Sequence, residues 1–251
     1  PRCIPDEKVK EIRWTTVELS EVSAKMFAAI RPEAELFEMS TERWMSEHAP
    51  RYQGQVGLIL ANPPYGQRGE YALQDKHPNY QSEKAAYAYV MRRALDLLVP
   101  TGMAVFAIPA GFLDGSSNRK LRERVLLRHH LMVAFRLPSE LASGREMFPG
   151  AGNVVDVLVW RCRGGELQEP DPADTFILDG DYFKEYPGHI LGVEHDKLDA
   201  AARAAAAKAK AAGQKPRRLR YRVVGDFNGF PPFVPREVCS SCSIRNAPAL
   251  E

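Results

Sequence analysis

The apolar run from Val56 to Ala61 constrains the fold more than any other segment, because it stops abruptly at Asn62-Pro63-Pro64-Tyr65. Gly54 precedes the run and two consecutive prolines follow it. A short, uninterrupted apolar run of this kind predicts a buried strand of a parallel sheet. Open α/β sheets bind ligands just outside the carboxyl ends of such strands, so the four residues that follow are candidates for a binding site.

Residues 62–66 combine groups that suit the recognition of an amine. Asn62 carries a side-chain carbonyl acceptor, and the fixed φ angles of Pro63 and Pro64 preset the directions of their carbonyl groups. Tyr65 offers a flat aromatic face, and Gly66 allows another group to approach closely. These features fit an amino group held by acceptors and stacked on a ring, such as the exocyclic amine of an extruded adenine. The alternative interpretation is an ordinary proline-stiffened turn.

The motif Asn62-Pro63-Pro64-Tyr65 resembles the Asn/Asp-Pro-Pro-Tyr/Phe motif of amino-methyltransferases that use S-adenosylmethionine. Further along the chain, residues 87–113, 118–124 and 135–138 resemble adenine-specific DNA methylases of restriction-modification systems. Among these, the chain resembles the modification subunits of type I systems and large phage or plasmid fusions of a methylase with a helicase. The resemblance extends over residues 12–162.

This resemblance implies a Rossmann-like α/β methyltransferase fold, with a mostly parallel, doubly wound sheet and one antiparallel strand. It also implies S-adenosylmethionine as the cofactor, DNA as the partner and base flipping as the route to the adenine. A specificity or helicase module, in trans or in the same full-length chain, is a further expected partner.

The resemblance suggests roles for individual residues. Asn62 Oδ1 and the Pro63 carbonyl would accept the two amine hydrogens, while Tyr65 would stack on the base. Glu18, at the end of a predicted strand, would accept hydrogen bonds from the ribose hydroxyls of the cofactor. Phe148 would either stack on the other face of the base or anchor its own loop in the core.

Alternating strand and helix patterns extend along the chain. Strands are predicted at residues 12–18, 34–38, 56–61, 103–108, 131–137 and 154–161. Helices are predicted from a Ser20 cap to Ile30, from a Ser82 cap along an apolar face to Leu98, and over residues 118–128. Residues 100–102 are predicted to turn the chain into the next strand. The loop before residues 154–161 is too short for a crossover helix, so that strand should run antiparallel to its predecessor.

The glycine-rich turn that holds the methionine part of the cofactor in this family has no counterpart near the start of the chain, where the first glycine is Gly54. We therefore predict a fragment that begins just before the second strand of the fold. A permuted order, with residues 148–152 as the cofactor loop, is rejected. Those glycines follow a loop and precede a strand, whereas cofactor glycines follow a strand and open a helix.

The composition is that of a globular enzyme. The chain has 251 residues, of which 45% are hydrophobic and 26% charged, and its net charge is +2. It has no run long enough to span a membrane and no apolar N-terminal signal, so a cytoplasmic location is predicted. Cys239 and Cys242 form one Cys-x-x-Cys pair, which has the spacing of half a tetrahedral zinc site, but a second ligand pair is missing and no metal site is predicted.

Three segments are predicted along the chain. Residues 1–165 form the catalytic core, residues 166–198 close it with a loop and short elements, and residues 199–251 form an Ala-rich helical spacer and a basic, Pro-rich tail. Residues 200–225 contain eight basic residues and no acidic ones. This stretch either binds DNA phosphates or is a solvated helix and linker.

The predicted function is site-specific transfer of a methyl group from S-adenosylmethionine to the exocyclic amine of adenine in DNA. Two alternatives stay open. One is methylation of protein glutamine side chains or ribosomal RNA by the same Asn-Pro-Pro-Tyr core, and the other is a degenerate methylase domain that only binds DNA.

Overall fold

The computed structural model describes residues 11–147, 153–195 and 221–226 of the chain. The strands are β1 (Thr15–Glu18), β2 (Glu35–Glu38), β3 (Val56–Ala61), β4 (Leu98–Pro109), β5 (His129–Arg136), β6 (Val155–Cys162), β7 (Val193–His195) and β8 (Arg222–Val224). The α-helices are α1 (Glu21–Ile30), α2 (Thr41–Glu47), α3 (Ala86–Leu95), α4 (Arg119–Leu126), α5 (Thr175–Asp179) and α6 (Tyr182–Glu185). Short 3₁₀ helices lie at Ala49–Tyr52, Gly69–Leu73, Pro172–Asp174 and Pro187–His189.

The strands form three sheets within the described residues. Strands β1 and β2 pair in parallel, from Thr15 opposite Glu35 to Glu18 opposite Glu38. The largest sheet has the strand order β3-β4-β6-β5, in which β5 and β6 are antiparallel, as the short loop between them predicted. Strands β7 and β8 form an antiparallel pair. The predicted α/β, Rossmann-like class is confirmed.

The chain divides into two compact units, Pro1–Met103 and Ala104–Glu251, which are described separately. In the first unit, α1 begins where it was predicted, because the Ser20 side chain accepts a hydrogen bond from the Ser23 N–H. Helix α2 begins in the same way, with Ser40 accepting from the Arg43 N–H. Both caps lie just after a parallel strand, so each strand leads directly into a helix.

Strand β3 forms at the predicted residues, but the prediction that it is buried is wrong. Leu58 is 48% exposed and Leu60 is 63% exposed. Leu58 and Leu60 are two positions apart and therefore point to the same face of β3, and the other described residues leave that face largely uncovered. The prediction that the fold lacks its first strand stays a prediction.

Two other element boundaries differ from the predictions. Helix α3 begins at Ala86 and has no side-chain cap, so Ser82 is not its N-cap. The Arg68 N–H donates to the Lys84 carbonyl, and Gln67 and Ala85 form an isolated antiparallel β-bridge. Residues 84 and 85 are therefore extended, and the helix begins only after them.

The predicted turn at residues 100–102 lies inside β4, which begins at Leu98. Thr101 has a positive φ of 69°, which bends the strand without ending it. A Cβ atom on Gly102 would lie 2.9 Å from the Val99 carbonyl oxygen and 3.0 Å from that of Val56, so glycine is required at this bend.

The second unit has an aromatic and aliphatic core around β5, β6 and α4. Trp160 is fully buried and packs edge-to-face against Phe112, with ring centroids 6.2 Å apart. Arg122 is also fully buried, and its guanidinium donates to the carbonyls of Phe112, Gly115 and Leu178. Arg122 thereby joins the loop after β4 to α5 through backbone acceptors.

Several predictions fall on residues outside the described ranges. They are the Ala-rich helical spacer, most of the basic and Pro-rich tail, Phe148 and the pair Cys239 and Cys242. The boundaries predicted at residues 165 and 198 stay predictions. Among the described helices, none is long and apolar enough to cross a membrane.

Candidate functional site

The Asn62-Pro63-Pro64-Tyr65 motif lies immediately beyond the carboxyl end of β3, as predicted. Asn62 and Pro64 are exposed, Pro63 is buried and Tyr65 is half-buried. The buried Pro63 fixes the start of the turn, while the side chain of Asn62 faces solvent. This arrangement leaves the Asn62 carboxamide accessible to a ligand.

Within the motif, Asn62 and Tyr65 contact each other directly. The Tyr65 hydroxyl donates a hydrogen bond to Asn62 Oδ1 at 2.9 Å. A carbonyl oxygen has two lone pairs, so Oδ1 keeps the capacity for a second hydrogen bond. Burial raises the pKa of Tyr65 above its ordinary value, and the phenol therefore stays protonated and able to donate at neutral pH.

The far end of the motif is anchored to α3 through the backbone. The Gly66 carbonyl accepts from the Ala86 N–H at 2.9 Å, and the Arg68 N–H donates to the Lys84 carbonyl at 3.0 Å. Among the described residues, no atom lies within 4 Å of the position that a Cβ of Gly66 would take. The motif is therefore held at both ends, by β3 and by the start of α3, with open space beside Gly66.

A buried cation supports the loop that follows the motif. Arg68 Nε lies 3.3 Å from Glu42 Oε1 in an ion pair whose two side chains are almost fully buried. The Arg68 guanidinium carbon also lies 3.6 Å from the centroid of the Tyr89 ring, in cation–π contact. These contacts join the loop to α2 and α3.

A second buried charged group, Asp75, also joins this loop to α3. Asp75 accepts hydrogen bonds from the Tyr89 hydroxyl at 2.6 Å and from Arg93 Nε at 3.1 Å, and Arg93 donates to the Met45 carbonyl. Burial by itself would raise the pKa of Asp75, but the hydrogen bonds from Tyr89 and the His77 N–H, together with Arg93, outweigh it, so the pKa lies below its ordinary value. Burial and the bond to Asp75 raise the pKa of Tyr89.

The sequence patterns did not predict these buried contacts of Arg68 and Asp75, although the sequence contains one indication of them. Arg93 lies within the apolar face of α3, among Val90, Met91 and Ala94, where a buried charge needs a partner. The identity of that partner, Asp75 in the preceding loop, is a matter of tertiary packing.

Glu18 lies at the carboxyl end of β1, as predicted. Its Oε1 accepts the Ser20 N–H at 2.8 Å, so one carboxylate oxygen already caps the turn into α1. Within the described part of the chain, no hydrogen bond joins Glu18 to residues 62–66.

Residues 221–225 of the basic C-terminal stretch are described, and two of them, Tyr221 and Arg222, make side-chain contacts within the protein. The Tyr221 hydroxyl donates to Glu194 and accepts from Arg136 Nη1, while Arg222 lies 3.4 Å from Glu140. The Tyr221 contact with Glu194 accompanies the antiparallel pairing of β8 with β7. In the described ranges, no group of three or more His, Cys, Asp or Glu side chains is arranged to hold a metal ion.

Comparison with known protein families gives one match that covers more than half of the chain. The family model described as Eco57I restriction-modification methylase matches residues 7–140. The matched region contains Glu18, the motif at residues 62–65, and the Arg68 and Asp75 contacts behind it.

A curated relative and two solved structures are similar to the chain. The relative is "Defense against restriction protein B" of Escherichia phage P1, 27% identical over 158 residues, which are 63% of this chain and 7% of the phage protein. The M protein of the type I restriction enzyme EcoKI has a TM-score of 0.47 and 16% identity, covering 67% of this chain and 35% of the M protein. A chain from a structure of type I restriction-modification complex assembly has a TM-score of 0.49 and 14% identity, covering 89% of this chain and 46% of that one. The chain thus spans about 7% of the length of the curated relative.

Proposed function

This chain belongs to the Eco57I restriction-modification methylase family, and we propose that it transfers a methyl group from S-adenosylmethionine to the exocyclic amine of adenine in DNA. One observation carries the proposal. The carboxamide of Asn62 is exposed just beyond the carboxyl end of β3, with the Tyr65 ring beside it. An acceptor and an aromatic face at the end of a strand are the groups that an extruded base requires.

The chemical difficulty of this reaction lies in the amine. The lone pair of an aromatic amine is delocalised into the ring, so the nitrogen is a poor nucleophile. Acceptors that bind both amine hydrogens favour the pyramidal geometry, in which the lone pair is localised on nitrogen. In the proposal, Asn62 Oδ1 accepts one hydrogen through its second lone pair and the Pro63 carbonyl accepts the other. S-adenosylmethionine, when bound, would supply the methyl carbon and depart as the neutral thioether, and the methylated amine would lose one proton to solvent.

Tyr65 contributes its ring. Extrusion of a base costs a few kcal/mol of stacking, and stacking on an aromatic side chain returns about 1–3 kcal/mol. The half-buried position of Tyr65 restrains the ring before the base arrives, which lowers the entropy cost of that contact. The open space beside Gly66 allows the base or its sugar to approach the turn. Phe148, the predicted second stacking ring, lies outside the described residues.

The described residues fit one part of the cofactor. S-adenosylmethionine supplies an electrophilic methyl group on a sulfonium sulfur. Glu18 is a half-buried carboxylate at the end of β1, and its second oxygen suits a ribose hydroxyl, while Oε1 caps Ser20. The first glycine of the chain is Gly54, and we assign no described residue to the methionine part of the cofactor.

DNA is the proposed polymer substrate, with a specificity or helicase module as a further partner. The alternatives are methyl transfer to ribosomal RNA or to protein glutamine, and a domain that binds DNA without catalysis. Comparison of labelled methyl transfer from S-adenosylmethionine to duplex DNA, RNA and protein separates them. Labelled N6-methyladenine in digested DNA, absent with Asn62→Ala, is the expected result, and label only in RNA or protein would refute the proposal.

A further inference from the structure

We propose that the Tyr65 hydroxyl is a positioning group that determines which end of the Asn62 carboxamide faces the substrate. The inference deepens the proposed function and rests on it, because it concerns the acceptor that the adenine amine would use. It assigns Tyr65 a second task, separate from the stacking of its ring.

The need for such a group follows from the chemistry of asparagine. One end of the carboxamide is an acceptor and the other is a donor, and the two ends have nearly the same shape. A half-turn about the Cβ–Cγ bond would present an NH₂ group to the substrate amine, so that two donors would face each other. An exposed carboxamide such as that of Asn62 is free to make this half-turn unless a neighbour selects one orientation.

Tyr65 is placed to make that selection. Its hydroxyl lies 2.9 Å from Asn62 Oδ1. A phenol donates a hydrogen bond more readily than it accepts one, because an oxygen lone pair is delocalised into the ring, so it favours the carbonyl end over the NH₂ end. The second lone pair of Oδ1 then remains for the substrate.

The backbone holds the two residues at this separation. Two prolines with fixed φ lie between them, Pro63 is buried, and the Gly66 carbonyl is bonded to the Ala86 N–H. The turn is therefore rigid on both sides of the bond, and little conformational entropy is lost in forming it. This preset geometry is what a positioning role requires.

A double-mutant cycle tests the inference, because aspartate removes the difference between the two ends. Tyr65→Phe keeps the ring and removes the hydroxyl, whereas Asn62→Asp supplies two equivalent acceptor oxygens. We expect Tyr65→Phe to lower kcat for methyl transfer to DNA about three- to ten-fold in the native background, the effect of one lost hydrogen bond. In the Asn62→Asp background, the same change should have less than about a two-fold effect. Equal losses in both backgrounds would show that the hydroxyl merely stabilises the loop, and the inference would be overturned.

A measurement without catalysis keeps this test separate from the proposed function. With ¹⁵N-labelled asparagine, the side-chain NH₂ resonances of Asn62 are identified by their loss in Asn62→Asp. We expect Tyr65→Phe to shift or broaden these resonances while those of Asn79 stay unchanged. Unchanged Asn62 resonances would overturn the inference. Methyl transfer by the native chain to RNA or protein but not to DNA would refute the proposed function, while the NMR result would still decide the inference.

Discussion

Arg68 lies over the ring of Tyr89, with its guanidinium carbon 3.6 Å from the ring centre, while Nε of the same side chain pairs with Glu42. The contact places a buried positive charge three residues beyond Tyr65. Since Arg68 is almost fully buried, the loop after the motif can leave α3 only by exposing or unpairing this charge. The rigidity of the motif therefore depends on residues that contact no substrate.

Removal of the Arg68 charge should destabilise the first unit. Arg68→Met leaves Glu42 buried without its partner, and we expect the free energy of unfolding in urea to fall by about 3–5 kcal/mol. The double variant Arg68→Met with Glu42→Leu should recover most of this loss, because no unpaired charge remains. Arg43→Met, which removes an exposed pair with Glu47, is the control and should cost less than about 1 kcal/mol. A double variant as unstable as the single one would contradict this account.

Removal of the Asn62 acceptor should abolish most of the methyl transfer. We expect Asn62→Ala to lower kcat about 100-fold or more, the usual effect of losing a preorganised electrostatic contact in a transition state. Asn62→Asp should retain part of the activity, since it keeps an acceptor. Asn79→Ala, an exposed asparagine in the loop before α3, is the matched control. The readout is labelled methyl incorporated into DNA, and near-native transfer by Asn62→Ala would contradict the proposed role.

The stability of the second unit should depend on a buried ion pair between two neighbouring strands. Arg136 and Asp156 lie opposite each other in β5 and β6, both fully buried, with bonds of 2.7 and 2.8 Å. Asp156→Asn removes the fully buried one of three carboxylates that pair with the guanidinium, the others being Asp114 and Glu194, and we expect a loss of about 2–3 kcal/mol in urea unfolding. Asp179→Asn breaks the exposed pair with Arg119 and should cost less than about 1 kcal/mol. Equal losses of unfolding free energy in the two variants would mean that burial does not determine how much these ion pairs contribute to stability.

Stability should fall in mild acid because of His129. Burial first, and then the nearby Arg128 and Arg163, lower the pKa of His129 from 6.5 to about 3, and its Nδ1 has no partner among the described residues. Below pH 6.5 the unfolded chain binds a proton at His129, whereas the folded chain binds this proton only near pH 3. Stability therefore declines across this window as the pH falls.

Between pH 7.5 and pH 5, His129 should account for about 2 kcal/mol of lost stability. In His129→Leu this part of the pH dependence should vanish, while the exposed His77→Gln should behave like the native chain. Urea unfolding of the three proteins at both pH values is the measurement. An unchanged pH dependence in His129→Leu would show that another group is responsible.

Gly180 should tolerate alanine far less well than Gly54, although both have a positive φ. A Cβ on Gly180 would lie 2.3 Å from the Gly115 carbonyl oxygen, whereas one on Gly54 would meet no atom within 4 Å. We expect Gly54→Ala to cost about 1–2 kcal/mol from backbone strain and Gly180→Ala at least about 3 kcal/mol, because the α5 terminus must move. Thermal unfolding compares the two, and equal costs would exclude the close approach as the cause.

Local patterns predicted the elements that depend on neighbouring residues. The Ser20 cap, the strand at Val56–Ala61 and the motif after it were all predicted from short stretches of sequence. The antiparallel pairing of β5 and β6 followed from loop length. One local prediction was wrong, because Ser82 does not cap α3. The start of this helix is set by the extended pairing of residues 84 and 85 with residues 67 and 68, and the capping preference of Ser82 contains no information about that pairing.

The sequence by itself determined the α/β class, the family resemblance and the position of the motif, because these depend on periodicity and on residues adjacent in the chain. Only the tertiary structure decided that β3 is an exposed edge strand, that Arg68 pairs with Glu42, and that Arg136 lies opposite Asp156. Such contacts join residues 20 or more positions apart, and one sequence contains no local signal for which of many charged side chains will meet. Packing selects the partners, since a buried charge is stable only beside the group that neutralises it.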